Sequence, residues 1–251
     1  MMMVATTAVV GAPLGGKAGL RVAVLGVGCA LLMSGYAQGA GRLVTFRSPS
    51  GRMVTGLLTE AEARPAPAVI LVPMLGRPKD DWQAVAERLA SAGVHALAID
   101  LPGTELPADP QALLTWHQDV RAAVAFLVGL SDVRPGALAM AGASLGANLV
   151  AVAAAAEPAV RSIALVSPSL EYRGVRIEGA MHKYGARQAL MAASVQDPYA
   201  ARSVREMEKM GTGSREVRWS SVPAHGTALL SRDPDLVQTL VEWFQQTLGV
   251  N

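Results

Sequence analysis

The sequence predicts an α/β protein: a mainly parallel central sheet flanked by helices on both faces, opened by an antiparallel N-terminal hairpin. Three observations predict it. From Gly41 onward, short apolar runs alternate with longer amphipathic segments, the pattern of strands joined by crossover helices. The run Ala68-Val69-Ile70-Leu71-Val72 is apolar at every position, as a strand buried on both faces must be. Finally, Gly142-Ala143-Ser144-Leu145-Gly146 stands between the apolar run 137–141 and an alanine-rich run, 147–156, that stops at Glu157-Pro158. That context reads as a strand turning sharply into a helix with a serine at the tip.

The elements follow in order. Residues 43–46 and 53–58, joined by the turn Pro49-Ser50-Gly51, form the hairpin, and the linker 60–67 leads into the buried strand 68–72. A helix spans 82–92, its start marked by Asp80-Asp81 and its end by Gly93. Strand 94–99 follows, then a helix over 110–130 with Asp109 as its N-cap. Strand 137–141 leads to the serine turn, strands 163–166, 189–193 and 216–219 come after it, and a helix over 234–248 closes the chain. The span 167–188 is the only long irregular insertion, placed to drape over whatever the strand ends carry. Residues 41–251 are thus one domain, without an internal repeat.

Composition sets the bounds. Apolar residues make up 51% of the 251 and charged residues 17%, which excludes disorder and permits a large core. The formal net charge of +2 is accounted for by Lys17 and Arg21, and no Lys/Arg cluster suggests a nucleic-acid partner. Residues 1–40 hold no Asp or Glu. They carry those two cations, an apolar run over 22–33, and then small residues, the layout of a secretory signal peptide cleaved after Ala37 or Gly39. An uncleaved N-terminal membrane anchor is the alternative, although the run is shorter than the ~20 residues a bilayer span needs. The expectation is an exported protein, periplasmic or secreted. The single cysteine, Cys29, lies in this run, so the mature chain would have no disulfide and no thiolate nucleophile. Gly11-Ala12-Pro13-Leu14-Gly15-Gly16-Lys17-Ala18 mimics a phosphate-binding loop, but Ala18 stands where a magnesium-binding hydroxyl is needed.

The serine turn directs attention to acyl transfer. Residues two before and two after such a serine must be nearly free of side chain, and Gly142 and Gly146 meet that need. The hydroxyl needs a base, the base needs an orienting acid, and the developing oxyanion needs donors. Partners in the order acid, then histidine, each on a loop after a strand, are available. Asp197 follows strand 189–193, and His225 follows strand 216–219. Of the other histidines, His95 falls within a strand, His117 within a helix, and His182 before the acid. Asp197 is also placed to cap the helix beginning at Pro198, and an ordinary loop position is the other role open to His225. The oxyanion donors are expected to be the N–H of Leu145 and an N–H from Pro73-Met74-Leu75-Gly76, with Leu75 preferred and Met74 the alternative. Pro73 has no N–H to give.

Through Gly142-Ala143-Ser144-Leu145-Gly146, Asp197, His225-Gly226, the 72–76 loop and Ala96-Leu97-Ala98-Ile99-Asp100-Leu101-Pro102-Gly103, residues 41–250 resemble the α/β-hydrolase superfamily. The likeness is to its small, lid-poor esterase and dienelactone-hydrolase-like members in particular. It implies a serine hydrolase acting on a small-molecule ester or acyl substrate, with Ser144 as nucleophile, His225 as base and Asp197 as its orienting acid. It implies no metal and no organic cofactor. Two departures stand out: Pro73-Met74 occupies the place of the family's frequent His-Gly, and Ser144 stands where dienelactone hydrolases carry cysteine. Tyr172, His182 and Tyr184 in the insertion are the candidate substrate contacts, with solvated loop positions as the other reading of all three. A small-peptide peptidase or amidase using the same triad, and a non-catalytic binding module of the same fold, remain open at this point.

Overall fold

A computed structural model describes residues 41–210 and 212–250. The expected signal peptide or anchor, with Cys29 and the phosphate-loop mimic, lies outside the described residues. The strands, in chain order, are β1 (Arg42–Arg47), β2 (Met53–Thr59), β3 (Ala66–Val72), β4 (His95–Ile99), β5 (Val133–Ala143), β6 (Val160–Val166), the short pair β7 (Glu171–Tyr172) and β8 (Val175–Arg176), β9 (Gln188–Ser194) and β10 (Arg215–Ser220). Eight of them form one sheet in the order β1-β2-β4-β3-β5-β6-β9-β10. Within this sheet only the β1–β2 and β2–β4 pairs are antiparallel, and the separate β7–β8 pair is antiparallel as well. From β4 to β10 every neighbouring pair is parallel.

The helices are α1 (Gln83–Ser91), α2 (Pro110–Thr115), α3 (His117–Val128), α4 (Leu145–Ala156), α5 (Glu178–Tyr184), α6 (Pro198–Met207), α7 (Thr227–Arg232) and α8 (Pro234–Leu248). Period-two alternation divides the core between the two faces of the sheet. Along β3, Ala68, Ile70 and Val72 join the cluster packed by α3 and α4, while Val69 and Leu71 join the one packed by α1 and α8. Along β5, Leu138 and Met140 face the first cluster, and Ala137, Ala139, Ala141 and Ala143 face the second. The all-alanine side of β5 leaves that second face shallow along this strand, and Trp243 and Phe244 of α8 belong to the cluster that fills it. Each fully buried Ile or Leu contributes about 1.5–3 kcal/mol through removal of apolar surface from water.

The strand order matters for function. The connection from β3 runs outward to β4, and the one from β4 returns across β3 to β5. The direction of winding therefore reverses at β3, and the loops leaving β3 and β5 open a crevice at the carboxyl edge of the sheet. Pro73 to Gly76 leaves one side of that crevice and Ser144 stands on the other.

Three sequence expectations need correction. The helix expected over 110–130 is two helices. At the junction Thr115 Oγ1 donates to the Ala112 carbonyl (2.7 Å) and His117 Nδ1 lies 2.8 Å from the Leu114 carbonyl, so side chains compete for acceptors the helical ladder would use. Trp116, 7% exposed, pins the bend into the core. The helix expected over 82–92 starts as a 3-10 turn, Lys79–Trp82, before α1 begins. The insertion 167–188 is not irregular: it holds the β7–β8 hairpin and α5. Among the described residues no helix is long and apolar enough to cross a membrane.

Candidate active site

Ser144 sits between β5 and α4 with φ 52° and ψ −119°, a backbone conformation a side-chain-bearing residue adopts only when its surroundings impose it. The surroundings are visible. A Cβ on Gly142 would lie 2.3 Å from the Gly146 carbonyl oxygen, and one on Gly146 would lie 2.4 Å from that of Pro73 and 2.5 Å from that of Val72. The start of α4 therefore presses directly on the exit of β3. The Ser144 N–H is held by the Val166 carbonyl at 2.9 Å.

The Ser144 hydroxyl lies 2.8 Å from His225 Nε2, and His225 Nδ1 lies 2.5 Å from Asp197 Oδ2. The tautomer that satisfies both contacts carries its proton on Nδ1, donates it to the carboxylate, and leaves Nε2 to accept from serine. The structure thus brings together residues 144, 197 and 225 from the ends of three different parallel strands. Asp197 makes the contacts that both readings of it require. While Oδ2 meets the imidazole, Oδ1 accepts the Ala200 N–H at 3.1 Å and caps α6.

The histidine loop is fastened just beyond its imidazole. Gly226, at φ 59°, donates its N–H to Ser167 Oγ (3.0 Å), and a Cβ there would approach Met74 Sδ to 2.7 Å. Thr227, 2% exposed, donates its hydroxyl to Asp81 Oδ2 at 2.7 Å. Asp81 also receives Arg77, from Nε at 2.7 Å and from Nη2 at 2.8 Å.

The candidate oxyanion donors flank the crevice. Leu145 is the first residue of α4, where the helix dipole favours negative charge and an N–H has no intrahelical acceptor. The loop after β3 closes as a turn, with Arg77 N–H donating to the Met74 carbonyl at 3.2 Å and Gly76 supplying φ 78° at its third position. Met74 and Leu75 pack toward opposite faces, against the α8-side and α4-side clusters respectively. The N–H groups of Leu145, Met74 and Leu75 donate to no carbonyl or side chain in the hydrogen-bond network of the described residues.

Of the three proposed substrate contacts, Tyr172 alone keeps a place at this end, half-buried on the β7–β8 hairpin and packed against the cluster that contains Leu145. Tyr184 is a correction. It is 2% exposed, donates to the Gln188 carbonyl at 2.7 Å where β9 begins, and is covered by Arg187 at 4.1 Å. Burial pushes its hydroxyl well above the ordinary phenol range, against the opposing pull of Arg187 and Arg215 beside it, and it is a structural plug at the strand-start end of the sheet. His182 is exposed on α5, which runs toward that same end, away from Ser144.

Several residues of the site were not legible as such. Asn148, wholly buried one turn into α4, donates to the Val175 carbonyl (3.1 Å) and accepts from the Ser169 N–H (3.1 Å), which holds the β7–β8 hairpin over the helix start. A lone amide in an alanine-rich helix was the available signal. Ser167, Asp81 and Thr227 carried none. Among the described residues no group of His, Cys, Asp or Glu is placed to hold a metal ion.

Asp81 yields a pH prediction. Its hydrogen bond from Arg77 holds the carboxyl below the usual carboxylate range, with Thr227 adding to the effect and burial opposing it. A depressed folded-state value means the unfolded chain binds the proton more readily, so this contribution is present at neutral pH and is lost as pH falls through the folded value. Asp81→Asn is expected to be less stable than the parent at pH 7 by denaturant unfolding, with the gap narrowing below about pH 4. An equal gap at both ends of that range would contradict the assignment.

A reversing parallel sheet with a strained serine at the β5–α4 turn defines the α/β-hydrolase fold, and solved structures agree. The α/β hydrolase GrgF of Penicillium matches with a TM-score of 0.71 at 14% identity, over 83% of this chain and 99% of its own. Dienelactone hydrolase of Anabaena variabilis matches at 0.69 and 17%, over 84% and 99%. The esterase domain of a Rhodothermus marinus protein matches at 0.66 and 17%, over 83% and 99%. No protein-family model matches the sequence, and no curated protein is similar to it in sequence.

Proposed function

We propose that the chain is a serine hydrolase that cleaves a carboxylic ester or related acyl bond of a small molecule through an acyl-enzyme. One observation carries this reading: the unbroken hydrogen-bonded series from Ser144 Oγ through the His225 ring to Asp197. In the reading, Ser144 Oγ attacks the acyl carbon as its proton passes to His225 Nε2. Asp197 keeps the proton on Nδ1 and stabilises the imidazolium. The N–H groups of Leu145 and Leu75, with Met74 as the alternative, hold the oxyanion. His225 then protonates the leaving group. Water, deprotonated by the same imidazole, releases the acid. Hydrolases and an esterase domain among the structures of like fold support the class. Neither a metal nor an organic cofactor enters the scheme.

The test is hydrolysis of p-nitrophenyl esters from acetate to octanoate by the parent, beside His225→Ala. Turnover that collapses in the variant supports the reading, and the chain-length profile sizes the acyl site. A matched ester and anilide pair distinguishes ester from amide chemistry. A folded parent that turns over none of them is evidence for the non-catalytic alternative.

The double task of Asp197 separates two variants. Asp197→Asn retains an acceptor for the Ala200 N–H but loses the charge, so kcat is expected to fall roughly 10²- to 10⁴-fold with little change in Tm. Asp197→Ala loses the cap as well and should cost about 1 kcal/mol more in stability. Steady-state kinetics and thermal unfolding of both variants check this; equal Tm values would contradict the capping role.

A further inference from the structure

We infer that Asp81 is a positioning residue that clamps the histidine loop to the oxyanion loop through Thr227 and Arg77. The inference rests on the serine-hydrolase reading for its consequence, and on geometry alone for the clamp.

Asp81 lies in the 3-10 turn that follows the loop leaving β3. Its Oδ2 accepts the Thr227 hydroxyl at 2.7 Å, two residues beyond His225, across 146 positions of sequence. The same carboxylate takes Arg77 on both oxygens, and Arg77 N–H closes the turn that presents Met74 and Leu75. One side chain therefore ties the segment carrying the proposed base to the segment carrying the proposed second oxyanion donor. The contact at Thr227 is almost sealed from solvent, so water does not readily replace a lost partner.

The histidine loop needs such a fastening. Gly226 runs at φ 59° and lies against Met74, so the loop has no helical or strand ladder of its own until α7 begins at Thr227. Gln196 Nε2 holds the start of the loop at the Ser221 carbonyl and Asp197 holds the imidazole; just beyond the imidazole the side-chain anchors are Ser167 Oγ on the Gly226 N–H and Asp81 on the Thr227 hydroxyl. Lys79 ties the same turn to Asp100 at the end of β4, through its N–H and its ammonium, each at 3.0 Å. The joint is thereby fixed to the sheet rather than free to follow the loop.

The test uses full-length Thr227→Val, which keeps the shape and removes the hydroxyl; Thr227→Ser, which restores it; and Asp81→Ala. Two readouts are taken: the rate of acylation by p-nitrophenyl acetate, and the isotope-labelled ring nitrogen resonances of His225, assigned by their absence in His225→Gln. A misplaced imidazole should slow acylation roughly 10- to 100-fold with KM nearly unchanged. It should also turn a single Nδ1–H tautomer into a mixture. Thr227→Val and Asp81→Ala are expected to show both effects, the double variant to be no worse than either, and Thr227→Ser to match the parent.

Unchanged His225 resonances and acylation in Thr227→Val would overturn the inference, as would a fall in Tm with both readouts unmoved. If the parent turns over no ester while the His225 tautomer still shifts in Thr227→Val and recovers in Thr227→Ser, the clamp stands and the hydrolase reading fails.

Discussion

Ser144→Ala is expected to lower kcat on a p-nitrophenyl ester by roughly 10⁴- to 10⁶-fold while leaving the fold in place. The hydroxyl is the only group of Ser144 that reaches His225 Nε2. Alanine inherits the same strained φ of 52° at no additional steric cost, so Tm should stay close to the parent's. The residual rate would reflect the oxyanion donors and substrate binding, which the substitution leaves intact. Steady-state kinetics with thermal unfolding on the same samples checks both halves. More than a tenth of the parent rate in a folded variant would mean that another group performs the attack.

Gly146→Ala should be strongly damaging for a single-methyl addition, as should Gly142→Ala, whose Cβ would fall 2.3 Å from the Gly146 carbonyl oxygen. The new Cβ at Gly146 would fall 2.4 Å from the Pro73 carbonyl oxygen and 2.5 Å from that of Val72. Both neighbours are backbone at the exit of β3, so no side chain can swing aside. Either α4 or the loop bearing Met74 and Leu75 must move. A stability loss of about 2–4 kcal/mol is expected, in the range that forced overpacking of a close contact produces. Acylation should fall further than stability explains, because the two proposed oxyanion donors sit on the two segments pushed apart. Denaturant unfolding together with acylation rates measured well below the Tm separates these effects. Parent-like values for both would show that the close approach is not required.

Much of this arrangement was readable from the chain because it depends on local rules. The continuous apolar run at 68–72 gave a buried strand, the two glycines flanking Ser144 marked the tight turn, and the Pro after Asp197 marked a helix start. The fold and the serine, aspartate and histidine follow from such local signals plus their order along the chain. What escaped depends on long-range meetings. Nothing near Thr227 or Asp81 announces that they touch across 146 residues, and nothing near Tyr184 announces that the start of β9 will bury it. The break at Trp116 was missed for another reason: each half of 110–130 has acceptable helical periodicity, and the side-chain competition of Thr115 and His117 for carbonyls leaves no trace in that pattern. The departure at Pro73-Met74 also gains a physical account. Met74 supplies the surface against which Gly226 packs, so the thioether sits directly beneath the histidine loop.

The central claim is that Ser144 is a nucleophile activated by His225. Its most direct test is covalent labelling of the folded chain with a fluorophosphonate, followed by mass mapping of the modified peptide. The account predicts one adduct, on Ser144, formed at a rate that drops by orders of magnitude in His225→Ala. No adduct on the folded parent, an adduct on a different residue, or labelling of Ser144 at the same rate without His225 would contradict it.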